Sequence, residues 1–141
     1  MIINEQKLIN RYIKCATKSK SFKEVRVRTY VEKEDFSPFY IYKYFENYDD
    51  LKMKSAKSFI KDNLETDYIN FEDTCYSTLV YETLRYFRTH EHRNVLFLDD
   101  YCGKIVMENY YIPTLSKIFD TSNKEEIITK YIILVGMLIQ K

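Results

Sequence analysis

His90 and His92, with Glu91 between them, have the side chains of a metal site. Two residues apart at the end of a helical stretch they diverge, and no third ligand stands near them, so metal binding is not expected. Cys15, Cys75 and Cys102 are odd in number and far apart, which suits reduced thiols better than a disulfide framework or a zinc site. The chain has no glycine-rich phosphate loop, nucleophile elbow or metalloprotease motif. No catalytic residue and no cofactor is therefore expected, and the chain does not read as an enzyme. What remains is cations interleaved with aromatics: Arg26 and Arg28, then SPFYIYKYFENYDDL from Ser37 to Leu51. Charge points the same way, because residues 1–58 hold 13 Lys/Arg against 8 Asp/Glu, while residues 59–141 hold 9 against 13. A polyanion suits the first part of the chain only.

The elements that must position these residues read as helices. Only two glycines and two prolines occur in 141 residues, too few for the tight turns of a sandwich or barrel, and that length suits one folded unit. Leu8, Ile9, Tyr12, Ile13 and Ala16 form one apolar helical face over 4–19, with Asn4 as cap. Val27, Tyr30 and Val31 repeat the spacing in a short helix from about Val25 to Lys33. After Glu34-Asp35, Ser37-Pro38 opens another short helix to about Phe45, with serine at the cap and proline at the first position. Asn47 caps a longer helix to about Asn63, with Asp49 and Asp50 at its positive end.

The later chain predicts a helix over about Phe71 to Thr89, a short one over 95–98, and one from Tyr101 to Phe119 that Pro113 kinks or splits. The last helix opens at Glu125 and Glu126, with Thr121 or Ser122 as its cap. Its apolar run, Tyr131 to Ile139, is about half the length needed to cross a bilayer, and MIINEQKLIN lacks a signal peptide's pattern. The expectation is a soluble, cytoplasmic protein that does not associate with membranes.

Two short helices after a longer one have the proportions of a helix-turn-helix. The run FKEVRVRTYVEKEDFSPFYIYKYFENYDDL, residues 22–51, resembles the DNA-binding region of TetR/AcrR-type bacterial transcriptional regulators. Phe22 and Val27 stand where that family packs its second helix on the first, and Tyr30-Val31-Glu32 stands for its Ile-Ala-Glu. Phe36-Ser37 opens the recognition helix, Ile41-Tyr42-Lys43-Tyr44-Phe45 matches its Phe/Leu-Tyr-x-x-Phe signature, and Asp49-Asp50-Leu51 its next helix start. The chain departs from the pattern at Glu34-Asp35, where the family has Ala-Gly, and at Tyr48, where it has a phosphate-contacting lysine.

The resemblance implies an all-α protein. Residues 1–47 would form a three-helix DNA-binding lobe, and a linking helix would join it to a ligand-binding and dimerisation lobe, with residues 48–141 making up that second part. It implies a ligand-responsive repressor that binds a duplex operator as a homodimer and answers to a small-molecule effector. Arg26 and Arg28 would meet phosphates, or are solvated arginines on a short helix. Ser37, Pro38, Phe39 and Tyr40 would enter the major groove, with Tyr42 on phosphate and Lys43 on phosphate or a base edge, while Ile41 and Phe45 face the core. Among the aromatics of the second lobe, Tyr76, Phe87, Phe97, Tyr101 and Tyr110 are candidates for a lipophilic pocket, with core packing as the alternative. Tyr131, Ile132, Val135, Leu138 and Ile139 are the candidate dimer contact, being apolar over too wide an arc for one core face. A second reading keeps the fold without operator binding, as a helical interaction protein that pairs with another regulator.

Overall fold

The computed structural model describes residues 3–23, 25–27, 30, 39–65, 68–90 and 92–140. All regular structure among them is helical. The helices are α1 (Glu5–Ser19), α2 (Phe39–Tyr44), α3 (Tyr48–Leu64), α4 (Tyr76–Thr89), α5 (Arg93–Phe97), α6 (Asp100–Val106), α7 (Ile112–Ile118) and α8 (Lys124–Ile139), with a π-helical turn at Met107–Tyr111 between α6 and α7. Arg28, Ser37, Pro38 and the Glu34-Asp35 turn lie outside the described residues.

Helix α1 begins where Asn4 accepts the Lys7 N–H at 2.8 Å. It ends where Lys20 turns left-handed at φ 61° and the Ser21 N–H reaches back to the Ala16 carbonyl at 3.1 Å. Leu8, Ile9, Tyr12 and Ala16 are buried, and this face packs along α3. Phe22 is buried as expected, with its ring 5.8 Å from Tyr12 and 5.1 Å from Phe59. The next contact corrects the expected phase: Val25 is buried and Val27 is exposed. Tyr30 closes a helical turn on the Arg26 carbonyl at 2.9 Å, and its buried hydroxyl donates to the Leu8 carbonyl at 2.8 Å.

Helix α3 is capped as its sequence predicts, with Asn47 accepting the Asp50 N–H at 2.8 Å, and it packs on α1, α2 and α6. Helix α4 begins at Tyr76, five residues later than expected, after a turn in which Asp73 takes a positive φ of 36°. The expected 101–119 helix is not split at Pro113: helical backbone runs from Asp100 to Ile118 and changes type at Met107–Tyr111. Proline has no N–H for the ladder, and the π turn just upstream widens the helix, with the Ile112 N–H bonding the Met107 carbonyl five residues back. The wide turn carries Tyr111 fully into the core, where its hydroxyl shares a 2.7 Å hydrogen bond with that of Thr83. Gly103 lets α6 close on α5, since a Cβ there would stand 2.9 Å from the Phe97 carbonyl oxygen. The cap of α8 is Asn123, whose side chain accepts from Glu125 and Glu126, while the Thr121 hydroxyl accepts the Asn123 N–H. No described helix is long and apolar enough to cross a membrane.

Candidate nucleic-acid interface

Six residues of α2 are too few to hold a helix alone, so packing must fix it. Ile41 and Phe45 supply that packing from one side, both buried. Tyr44 adds a tether, donating to the Ile3 carbonyl at 3.0 Å. The opposite side is left to solvent: Phe39 is 70% exposed and Tyr42 63%. Lys43 lies on that outer side with its ammonium 5.5 Å from the Tyr44 ring, Tyr40 is half-buried, and Arg26 is exposed. The orientation of α2 is thus the one its pattern predicts.

The junction behind α2 is rigidly bonded. Asp50 accepts the Glu46 N–H at 3.1 Å and pairs with Lys54 at 3.4 Å. Tyr48 already commits its hydroxyl within the chain. Its ring lies 5.8 Å from Tyr12 and 6.0 Å from Tyr30, and its hydroxyl donates to the Val25 carbonyl at 2.5 Å. Burial pushes its phenol well above the ordinary range, and the Cys15 thiol nearby adds to this. Tyr12, fully buried, shifts the same way, chiefly by burial and then by Tyr48, and bonds the Phe22 carbonyl. One turn on, Lys52 donates to the Lys23 carbonyl at 3.0 Å. Lys23 and Lys52 join the interface only in the folded chain. Spacing alone makes Lys52 a neighbour of Tyr48 on one helix face, but its acceptor is backbone and leaves no mark in the sequence.

The five aromatics considered for a pocket do not line one cavity. Tyr76 packs on Phe119, Tyr110 on Phe71, and Tyr101 lies beside Lys52. Phe97 is buried against Tyr86, Phe87 and Tyr111. One apolar groove lies between α6 and α8. It holds about 420 Å³ and is lined among others by Phe97, Leu98, Met107, Ile128, Ile132 and Val135. Of the candidate dimer residues, Tyr131 and Leu138 are buried within the chain itself, Val135 is half-buried, and Ile132 and Ile139 are 61% and 64% exposed. The two histidines serve packing: His90 stacks on Tyr86 at 3.9 Å and His92 meets the edge of Phe59.

Cys75 is exposed at the start of α4, its sulfur 3.3 Å from the Ser77 hydroxyl and 3.2 Å from that of Thr78. These bonds, Ser77 first, lower its thiol to about 7. Cys102 is buried and shifted upward by burial and then by Asp99. Alkylation by iodoacetamide should therefore select Cys75, with a rate that reaches half its plateau near pH 7. Ser77→Ala should move that midpoint up. A midpoint unchanged in this variant, read by mass spectrometry, would show that the hydroxyl does not tune the thiol.

Compared with protein-family models, curated proteins and solved structures, the chain matches none of them.

Proposed function

We propose that the protein is a sequence-specific DNA-binding transcriptional regulator, a repressor released when a small-molecule effector binds. Residues 1–47 meet the duplex, and the remainder holds the effector and pairs two copies. The observation that carries this reading is α2, which buries Ile41 and Phe45 and leaves Phe39 and Tyr42 in solvent beside Lys43. Two large aromatics on a six-residue helix amount to an exposed contact surface, and a phenyl ring there suits thymine methyls in a major groove. The basic balance of residues 1–58 supports an anionic partner. On α8, Ile132 and Ile139 offer the exposed apolar contact that pairing of two copies needs.

The second reading, a helical interaction protein without an operator, draws on Tyr48, which is committed to packing at a position where the resemblance has a cation. A mobility-shift assay over a genomic fragment library, at low and high salt, separates the two. A salt-sensitive complex on particular fragments is expected. Arg26→Ala with Lys43→Ala should weaken it and reduce the slope of log affinity against log salt by about 2. No fragment retained at any salt would sink the operator reading, and a double variant with intact cellular function would show that DNA contact is not the function.

A further inference from the structure

We infer that an open notch between α3 and the segment at Lys23–Val27 seats a phosphodiester of the DNA backbone, with Lys52 as the central cation. This rests on the DNA-binding reading above. Among the described residues the notch is lined by Lys23, Val25, Arg26, Val27, Tyr48 and Lys52, three of them cations and none an acid, and it holds about 670 Å³.

Lys52 is unlike an ordinary surface lysine. Only 15% of its side chain is exposed, because the stem packs along the protein, while its ammonium bond lies at the surface. That bond goes to the Lys23 carbonyl, and the ammonium lies 6.0 Å from the rings of Tyr48 and Tyr101. Its described carboxylate neighbour, Asp49, stands at 3.7 Å with a side chain 85% exposed. An ammonium has three donors, so one carbonyl bond leaves Lys52 able to take a further anion. The notch admits one between Lys52, Lys23 and Arg26.

The backbone here is also held in place. Tyr48 and Lys52, one turn apart on α3, bond the carbonyls of Val25 and Lys23, so one helix face fixes the chain that presents Arg26. A phosphate in the notch would touch both the element that carries Arg26 and the helix that follows α2. That placement gives register on the duplex rather than base readout. Lys52 thus supplies, one turn along, the cation that position 48 lacks.

The test measures affinity for a mixed-sequence duplex against salt for the wild type, Lys52→Gln, Lys52→Arg and Arg26→Gln, with Lys61→Gln as a control outside the notch. Lys52→Gln and Arg26→Gln should each reduce the salt slope by about 1, equally on every sequence, while Lys52→Arg and Lys61→Gln keep it. Thermal melting checks that Lys52→Gln folds, and Arg26→Gln probes the notch without touching the Lys23 bond. A salt-sensitive wild type with an unchanged slope in Lys52→Gln overturns the notch, whatever Arg26→Gln does, and leaves the regulator reading standing. A wild type that binds no duplex overturns the regulator reading itself. Inorganic phosphate saturating the wild type but not Lys52→Gln, with no duplex bound, would make the notch a free-phosphate site and overturn its assignment to DNA.

Discussion

Between about pH 10 and about pH 12 the protein is expected to lose its fold, because its core is built on phenols that ionise only when it opens. Burial pushes Tyr86 and Tyr131 up to about 12, and pushes Tyr12 and Tyr111 higher still. An unfolded tyrosine ionises near about 10. The folded state therefore holds more protons than the unfolded one above that pH, and stability falls as pH rises. The contribution is fully present below about pH 10 and is lost as pH climbs through the folded values. Tyr12, Tyr111 and Tyr131 are almost wholly buried. At about 1.4 kcal/mol per pH unit for each, these three remove roughly 4 kcal/mol per unit, against a total stability of about 5–15 kcal/mol. Melting temperature should fall together with the late-rising part of the tyrosinate absorbance, which comes from the buried phenols. A tyrosinate signal completed near pH 10 with the helices intact would contradict this. Tyr131 makes the sharper variant, because its buried hydroxyl has no hydrogen-bond partner among the described residues. Tyr131→Phe removes that unpaired group, so it should stabilise by about 1 kcal/mol at neutral pH and make the alkaline decline shallower.

Tyr48→Lys should destabilise the chain by about 3 kcal/mol and weaken DNA binding, although it adds a positive charge and restores the residue that the resemblance expects. The substitution removes a ring packed against Tyr12 and Tyr30 and the bond to the Val25 carbonyl. It also sets a second ammonium beside Lys52, whose own charge already lies 6.0 Å from the Tyr48 ring. Tyr48→Phe keeps the ring and should cost only about 1–2 kcal/mol, the cost of a half-buried carbonyl left without its donor. Urea unfolding of both variants measures this. A Tyr48→Lys protein as stable as the wild type, or one that binds duplex more tightly, would show that position 48 is open to solvent after all.

The starts of α1 and α3 were legible because a cap is a local device, whereas α4, which has no side-chain cap bond, starts five residues late. Asn4 and Asn47 announce α1 and α3, and Ile41 and Phe45 sit four apart on the face that α2 buries. The start of α8 was legible only to within two residues, since Thr121, Ser122 and Asn123 all have capping side chains and the fold uses Asn123. Phase was harder than existence. The stretch after Phe22 has valines at 25 and 27, and spacing to Tyr30 and Val31 favours the second, whereas the fold buries the first. Pro113 announced a disturbance of the helix, but not that it takes the form of a π turn ending at Tyr111, because a widened turn has no residue signature of its own. Tyrosine placement was illegible for a related reason. Tyr111 and Tyr110 are adjacent and alike, yet one is wholly buried and hydrogen-bonded to Thr83 and the other packs half-buried on Phe71. Only the azimuth set by the wide turn separates them. Lys52 reads in the sequence as one more solvated lysine, because what marks it, the Lys23 carbonyl and a packed stem, belongs to the folded chain.

Around α1–α3, Tyr12, Tyr30, Tyr44 and Tyr48 donate to the main-chain carbonyls of Phe22, Leu8, Ile3 and Val25. A bond of this kind constrains evolution from one end only. The phenol must be kept, but the acceptor persists whichever side chain the neighbouring residue carries, so no compensating change is demanded when that residue drifts. Such a region can rewrite much of its sequence around a few fixed tyrosines while its geometry stays put. Correlated pairs of substitutions, the usual trace of a conserved contact, would then be sparse in it. Its ancestry would be written in where the tyrosines fall rather than in what surrounds them.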